Sequence, residues 1–580
     1  NQAADRWHDD RSGSSFATDF LMSTDLSHLL GPLDGVSLTT ADAIAPPPVM
    51  AVAGGGVAYD GSSVHDQLAT WAPPLRSADG DMLYEKPRLD ARVRDMQRND
   101  AYVAGGAATH KDTIVGEQYR LNAKPNSKIL FGKIDEDWES EAQEEIETRF
   151  GFWAESPMCW PDAQRVNTLT GLIRLAVGTH VSGGEVLGTA EWDDDGRPFA
   201  SNMMMIDADR LSTPQGLDFA YTQRIRSGVE RTKRGAPIAY HIRTEHPNDV
   251  RLTYGNFGLP TWKRVKRFNP WGRQQVLHIY ESLRPDQTRG VAGMVTALSE
   301  MRMLKHFRKT ELQRAVIGAT YAATIETDIP GEAALSMGAG QTSENPYVDG
   351  IQKFLEMQAA YQDSARNIHM EGAKIPVFLP NTHLKIQNPG AQSPLGEQFE
   401  ASLLRHIATS LGVSYEQLSR DYTKTNYSSA RASIGESLRG MLPKKRLVAD
   451  GTANFVYRLW MEEAVNYADL ECFKRRNMPN FYESQNIDAY CEAAWIGAGQ
   501  GQIDPLKETQ AAILRMKNGL STQEVEIAKM SGGDWRQIKR QIKRELAMDT
   551  DLKIPSIYTD PNTQDMQNSL TGKEREKNVA

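Results

Sequence analysis

Apolar residues recur every fourth position at Phe399, Leu403, Ile407 and Leu411, which lays them along one stripe of a helix. Ser393 and Pro394 suit the cap and the first turn, and Gly412 follows the last stripe residue, where a left-handed conformation closes a helix. The spacing therefore predicts a compact amphipathic helix over Ser393 to Leu411. Asp421 to Ser429 carries no aliphatic side chain, so it can add nothing to a core and is expected to be an exposed connection. A second helical pattern, capped by Ser428 or Ser429, then runs through Ile434, Leu438, Met441, Leu447, Val448, Phe455, Leu459 and Trp460. Continuous to Val465, it would be roughly 55 Å long at about 1.5 Å per residue. Pro443 is expected to kink it, because proline lacks an N–H and its ring crowds the preceding turn.

Upstream, the pattern between Ser77 and Tyr280 is mixed α and β. Glu139 to Trp153 reads as a helix with a charged start, and Leu169, Leu172, Leu175 and Ala176 mark a buried helix over Asn167 to Val181. Alternation at Val186, Gly188 and Ala190, a turn at Asp194-Asp195-Gly196 and the run Met203 to Ile206 predict a hairpin. Further strands are expected at Ile238 to Ile242 and Gln275 to Ile279. A long helical pattern follows over Asp286 to Glu326, with the stripe Met294, Leu298, Met301, Leu304 and Phe307. Arg302, Lys305, Arg308, Lys309 and Arg314 project elsewhere against only Glu300 and Glu311, either as a solvated face or as a surface with a task. Thr327 to Gln392 is rich in Gly, Pro, Asn and Gln, with a helical stretch at Tyr347 to Ala365 and strand-like runs at Ile375 to Pro380 and His383 to Gln387. Past Asp504, Leu506 to Met516 form a helix ending at Gly519, Ser521 and Glu524 form a capping box, and Trp535 to Leu546 form a last helix.

Composition narrows the class. The chain has 580 residues, enough for several domains, with 40% hydrophobic residues. No apolar run approaches the roughly eighteen residues a membrane span requires, and no secretory signal pattern is seen, so synthesis in the cytosol without a membrane partner is expected. Cys159, Cys472 and Cys491 are an odd set without CxxC spacing, which indicates neither a disulfide framework nor a zinc ribbon.

Motifs with chemistry behind them are scarce. The Asp193-Asp194-Asp195-Gly196 run lacks the distal glutamate of a calcium loop, and turn chemistry explains it better. Gly338 and Gly340 are not followed by the Lys-Ser/Thr of a phosphate-binding loop. There is no HExxH, no GxSxG and no cysteine-histidine pairing around Cys159, and Asp135-Glu136-Asp137 lie in a charged run that reads as solvated surface. No catalytic residue, cofactor or metal is expected.

Five runs in one order carry a resemblance: QTRG (Gln287 to Gly290), YAATIE (Tyr321 to Glu326), LGVSYEQLSRDY (Leu411 to Tyr422), YSSARAS (Tyr427 to Ser433) and WIGAGQGQIDPLKE (Trp495 to Glu508). Together they resemble the portal protein family of lambda-type tailed bacteriophages. The resemblance extends upstream to Ala91 to Gly106 and Ile114 to Leu121, and fades before about Leu75 and after about Asp551. It implies a predominantly helical α+β portal fold and a ring-forming subunit, dodecameric in related portals. By the resemblance, 1–75 is an N-terminal arm, 76–285 an α+β wing, 286–326 the first stem helix, 327–392 the clip, and 393–420 the second stem helix. The tunnel loop is 421–429, the long kinked helix and return to the wing 430–500, the crown 501–548 and a disordered tail 549–580.

The function implied is a channel at one capsid vertex through which double-stranded DNA is packaged, held and ejected. Implied partners are further copies of the chain, the major capsid protein, the terminase large subunit and the head-tail adaptor. Tyr422, Lys424, Asn426 and Tyr427 would face the DNA, Arg302, Lys305, Arg308 and Lys309 would line the stem, and Arg536, Lys539, Arg540 and Lys543 would form a basic crown face. A net charge of -9 is compatible with DNA as a passing cargo, since tight phosphate binding would hinder sliding, although solubility explains it equally well. A scaffold or adaptor of the virion, and a nucleic-acid-processing enzyme, are the alternatives at this point.

Overall fold

A computed structural model describes residues 70–558 apart from 216–223, 248–259, 321–323, 424, 468–469, 484, 500–503, 555 and 557. Within 328–395 it describes only residues 353, 356, 359 and 360 and three short strands. Most of the expected N-terminal arm and of the expected helix at Tyr347 to Ala365, the strand at Ile375 to Pro380 and the cap at Ser393 and Pro394 thus fall outside the described residues, the four described positions of that helix being helical. All that follows belongs to the unit Arg76–Ala580.

The helices form where the spacing of apolar residues allows one face to be buried. Helix α1 (Lys86–Asn99) ends at Asp100, whose extended backbone turns the chain and whose carboxylate accepts from the amides of Tyr102 and Val103, capping α2 (Ala101–Ile114). Val103, Ala107, His110 and Ile114 share the buried face of α2. After β1 (Arg120–Ala123), Asp135 caps α3 (Glu136–Ala154), which buries Trp138, Ala142, Ile146, Phe150 and Trp153. The carboxylates of Glu136 and Asp137 therefore occupy a first turn, where the helix dipole favours them. Helix α4 (Leu169–Gly183) buries Leu169, Leu172, Ile173 and Ala176 as far as its stripe extends, but Leu175 is 44% exposed, against the sequence expectation. At about 100° per residue Leu175 sits some 200° from Ile173, on the opposite side.

Gly184 closes α4 with φ 75°, and a Cβ there would fall 2.1 Å from the backbone of Val291, so both conformation and space require glycine. The expected hairpin follows: β2 (Glu185–Trp192) pairs antiparallel with β3 (Ser201–Ile206), Leu187 opposite Ile206. In its connection Asp195 is held by Arg165 and Arg197. Strands β4 (Ile225–Arg226), β5 (Val229–Arg231), β6 (Pro237–Arg243) and β7 (Trp262–Lys266) make a four-stranded antiparallel sheet in sequence order. Strand β8 (Val276–Tyr280) then returns to β2, giving a three-stranded sheet ordered β3-β2-β8.

The third long helical pattern is shorter than its periodicity predicted. Gln287–Gly290 is buried non-helical chain, Gly293–Ala297 is a 3-10 turn, and α5 spans Leu298–Thr320. The stretch placed at its end is strand β9 (Thr324–Thr327), paired antiparallel with β10 (Thr382–Lys385). The β-branched Thr324, Ile325 and Thr327 fit a strand better than a helical turn. Two-stranded pairing thus joins the start and the end of the 328–381 excursion. Helix α6 (Gly396–Leu411) buries Ile407 and Leu411, but Phe399 is 44% exposed, so only the C-terminal half of its stripe is core.

The long helix comprises α7 (Tyr427–Lys444), a π-helical turn at Lys445–Ala449, and α8 (Asp450–Asn466). Pro443 cannot donate to the ladder, and the five-residue turn that follows absorbs the disruption without ending the helix. Its cap is Asn426, whose side chain accepts from the Ser429 amide, and not Ser428 or Ser429 as expected. Strand β11 (Ala493–Ile496) pairs with β1, so distant parts of the chain close one another. Three helices end the described chain: α9 (Pro505–Lys517), α10 (Gln523–Ser531) and α11 (Trp535–Leu552). Thr522 caps α10, and Glu524 is engaged by Asn122, so the expected box from Ser521 does not form. Helix α11 runs past Asp549, where a disordered tail was expected to start, and buries no residue.

The main core lies where α3, α4, β2, β3 and α8 meet. Phe150 packs edge-on against Tyr457 and Trp460, both with ring centroids at 5.3 Å, and all three are at most 1% exposed. A smaller core of Leu187, Ile206, Leu211, Val229, Tyr240, Ile242 and Val276 joins the two sheets. Among the described residues no helix is long and apolar enough to cross a membrane.

Candidate functional site

Helices α5 and α6 lie side by side. Phe307 meets Phe399 edge-on with centroids 5.4 Å apart. Arg308 Nε donates to Glu400 Oε1 at 2.8 Å and Nη2 donates to the same oxygen at 2.6 Å, while the guanidinium sits 4.2 Å above the Tyr102 ring. Arg308, expected on the channel wall and opposed only by Glu300 and Glu311, is paired with Glu400 and ties two helices to α2. Its partner could not be found by counting charges along α5, since Glu400 is 92 residues away. Arg302, Lys305 and Lys309 are exposed on α5, interleaved with the exposed apolar Met303 (56%) and Leu312 (66%).

Between α6 and α7, a short helix at Tyr415–Ser419 carries a full capping box from Ser414 and Gln417, and Arg420 leaves it in the left-handed region at φ 58°. Tyr422 is 45% exposed, as an accessible connection requires. Asp421 accepts from the Thr423 amide at 3.0 Å, which folds the loop locally. Lys424 lies outside the described residues. Tyr427 is the first residue of α7, and Asn426, expected to face the DNA, is exposed and uses its Oδ1 to cap that helix.

On α11, Lys539 and Lys543 are exposed and Arg536 lies 6.0 Å from the Trp535 ring centroid. Arg540 pairs with Glu144 of α3 at 2.6 Å, both exposed, so it joins the helix to the body and is not a free cation. The basic side chains are thus divided between tethers and exposed groups.

A buried polar network holds the segment that enters α5. Glu185, fully buried at the start of β2, takes Arg289 Nε at 2.9 Å, Arg289 Nη2 at 2.5 Å, the Gly290 amide at 3.2 Å and His278 Nε2 at 3.1 Å. Lys86 lies 3.2 Å from Glu185 and 2.9 Å from Asp90, and donates to the carbonyls of Gly183 and Gly290. The remaining Arg289 donors reach the carbonyls of Leu211, Ser227 and Ala208. Burial by itself would raise the Glu185 carboxyl, but the adjacent Arg289 guanidinium outweighs it and holds the group well below the usual range. Next to it, Asp79 accepts from the Thr288 amide at 2.8 Å and hydroxyl at 2.6 Å and pairs with Arg226 and Arg231. Gln287 to Gly290 are thus bolted to β2, α1 and the sheet.

These residues were missed from sequence, where QTRG carried only a resemblance. The available signal was Glu185 heading the near-continuous apolar run of β2, an acid with no reason to be there unless paired. Among the described residues one group could hold a metal by geometry, Asp207, Asp209 and His246. Arg94 lies against both carboxylates, and although burial pushes Asp209 up, Arg94 holds it below the usual range, so the cation there is a guanidinium.

Comparison with known proteins identifies the family. Residues 65–442 match the family model described as phage portal protein, lambda family. The portal protein of Escherichia phage N15 is 34% identical over 495 residues, covering 85% of this chain and 89% of that protein. Portal protein B of Escherichia phage lambda is 33% identical over 493 residues, covering 85% and 88%. Among solved structures, the neck of an empty GTA particle computed with C6 symmetry covers 75% of this chain and 92% of its own at 12% identity, with a TM-score of 0.42. The relatives are named as portal proteins and not as scaffolds, adaptors or enzymes. On the match to more than half its length and on its relatives' identity, the chain belongs to the lambda family of phage portal proteins.

Proposed function

We propose that copies of this chain close into a ring, twelve by the family resemblance, at one vertex of the capsid, and that α5 and α6 of each copy form the wall of the channel. The observation that carries this reading is the pairing of α5 with α6 through Arg308, Glu400, Phe307 and Phe399 while Met303 and Leu312 stay exposed. A helix pair that leaves large apolar side chains in water is suited to a neighbour's surface. In a ring each copy presents one patch to a different patch of the next, and closure hides both.

In this reading the unit 76–285 is the wing, 327–392 the clip that meets the terminase large subunit and later the head-tail adaptor, and 501–548 the crown. The Asp421 to Ser429 connection lines the narrowest part, with Tyr422, Lys424 and Tyr427 towards double-stranded DNA during packaging, retention and ejection. Arg302, Lys305 and Lys309 face the passage, and Lys539 and Lys543 face the capsid interior. The chain is made in the host cytoplasm and ends as a virion component in contact with the major capsid protein. It moves no bonds; the motor's hydrolysis belongs to the terminase.

Electron microscopy of the purified full chain tests the reading directly. Class averages along the symmetry axis should show a closed ring with a central opening wide enough for a duplex. A population of monomers, or oligomers without any axial opening, would refute it.

A further inference from the structure

A cavity of about 170 Å³ lies where α2, α4, the 3-10 turn opening α5, the end of α6 and the end of α7 converge. His110 of α2, His180 of α4 and Lys444 of α7 all line it. The helical run from Gly293 to Thr320 begins at its wall, with Ala292 at the cap contributing no side-chain bond to the first turn. The Val295 amide finds the Ala292 carbonyl, and the amides of Gly293 and Met294 open the 3-10 turn that runs directly into α5.

The histidines are unusual for their burial. His110 is 1% exposed, its Nε2 lies 2.7 Å from the Leu411 carbonyl, and its Nδ1 has no partner among the described residues. His180 Nε2 is also buried without a partner there. Burial first and Lys444 second push both histidines down to about 4. Burial also lowers Lys444, which no ion pair joins to Glu281, the one carboxylate at the cavity edge. Buried polar groups left unpaired cost free energy, and among the described residues two of them, His110 Nδ1 and His180 Nε2, belong to residues lining this one cavity.

We propose that this cavity is a binding site for an oxyanion of phosphate size. Lys444 supplies the charge, the Gly293 and Met294 amides and the His180 N–H donate, and the helix dipole adds to the attraction. Because His110 Nε2 gives its hydrogen to the Leu411 carbonyl, its neutral Nδ1 is an acceptor, which suits an oxyanion that still carries a proton. Hydrogen phosphate meets this condition at neutral pH and sulfate does not. Sulfate gains affinity only as acid protonates His110, with His180 protonating alongside, Lys444 already charged and Glu281 opposing. The site sits at the entry to α5, so occupancy would stiffen the attachment of that helix to α4 and α7.

Calorimetric titration of the purified full chain with sodium phosphate, against sodium chloride of equal ionic strength, tests this. Wild type should bind phosphate with an affinity about tenfold or more above that of Lys444→Met, and sulfate should bind about tenfold more weakly at pH 7, the gap narrowing only as the pH approaches about 4. His180→Leu, which removes a donor on a different element, should weaken binding without altering the circular dichroism spectrum. Equal phosphate binding by wild type and Lys444→Met would overturn the proposal, as would no binding by either dissociated subunits or rings. Rings and dissociated subunits should both bind phosphate, and rings that bind none would overturn the site as a feature of the assembled protein.

Discussion

Replacing Glu185 by glutamine is the sharpest probe of how the chain is held together at the entry to α5. Glutamine keeps the shape and can still accept a hydrogen bond, but it removes the charge that Arg289 and Lys86 share. Arg289 would retain the carbonyls of Leu211, Ser227 and Ala208, and Lys86 would retain Asp90, so two buried cations would face one carboxylate. Removing one partner from a buried pair costs about 3–5 kcal/mol, because the group left behind is neither hydrated nor compensated. That is a large part of the roughly 5–15 kcal/mol by which a domain is stable. Urea unfolding followed by circular dichroism should show the first transition moving to lower urea by an amount of this order, and hydrogen exchange should accelerate in 293–304. A shift below about 1 kcal/mol in Glu185→Gln would refute the view that this network anchors the helix.

The same carboxylate sets a pH dependence. Its pKa is lowered in the folded state, so its contribution is complete above the usual value of 4.5 and is lost as pH falls below that through the folded value; unfolding midpoints should decline steeply there in wild type and less so in Glu185→Gln. His110 and His180 are also lowered, to about 4, so their contribution is complete above about 6.5 and fades as pH falls towards 4, and His110→Gln with His180→Gln should flatten that part of the stability curve. Arg308→Ala and Glu400→Ala remove a half-exposed pair, and a double-mutant cycle by thermal unfolding should return a coupling of about 0.5–1 kcal/mol, well under that of the buried network. Trp460→Ala empties a site at the centre of the main core and should cost about 3–5 kcal/mol in urea unfolding. Tyr422→Ala, Lys424→Ala and Tyr427→Ala together should leave rings intact in electron micrographs while shortening or releasing packaged DNA; normal packaged length and retention would exclude the loop from the channel.

Local chemistry written along the chain was enough for the long rods and their punctuation. The period of four at Ile407 and Leu411, Gly412 at the left-handed end of α6, and the continuation through Pro443 all follow from spacing and backbone constraint. The order of its motifs was enough for the family. What the chain could not disclose by itself is which charges find each other: Arg308 and Glu400 are 92 residues apart, Arg289 and Glu185 104, and Arg540 meets Glu144 across most of the molecule. Periodicity reports which face of an element is apolar, but the partner of a buried charge is set by how elements cross, and that is decided only when the tertiary structure packs them. The same limit explains the end of α5, where a helical pattern yielded to a strand because Thr382–Lys385 was there to pair with it. It also explains Asn426, drawn from a solvent-facing loop into the first turn of the longest helix by amides that needed an acceptor.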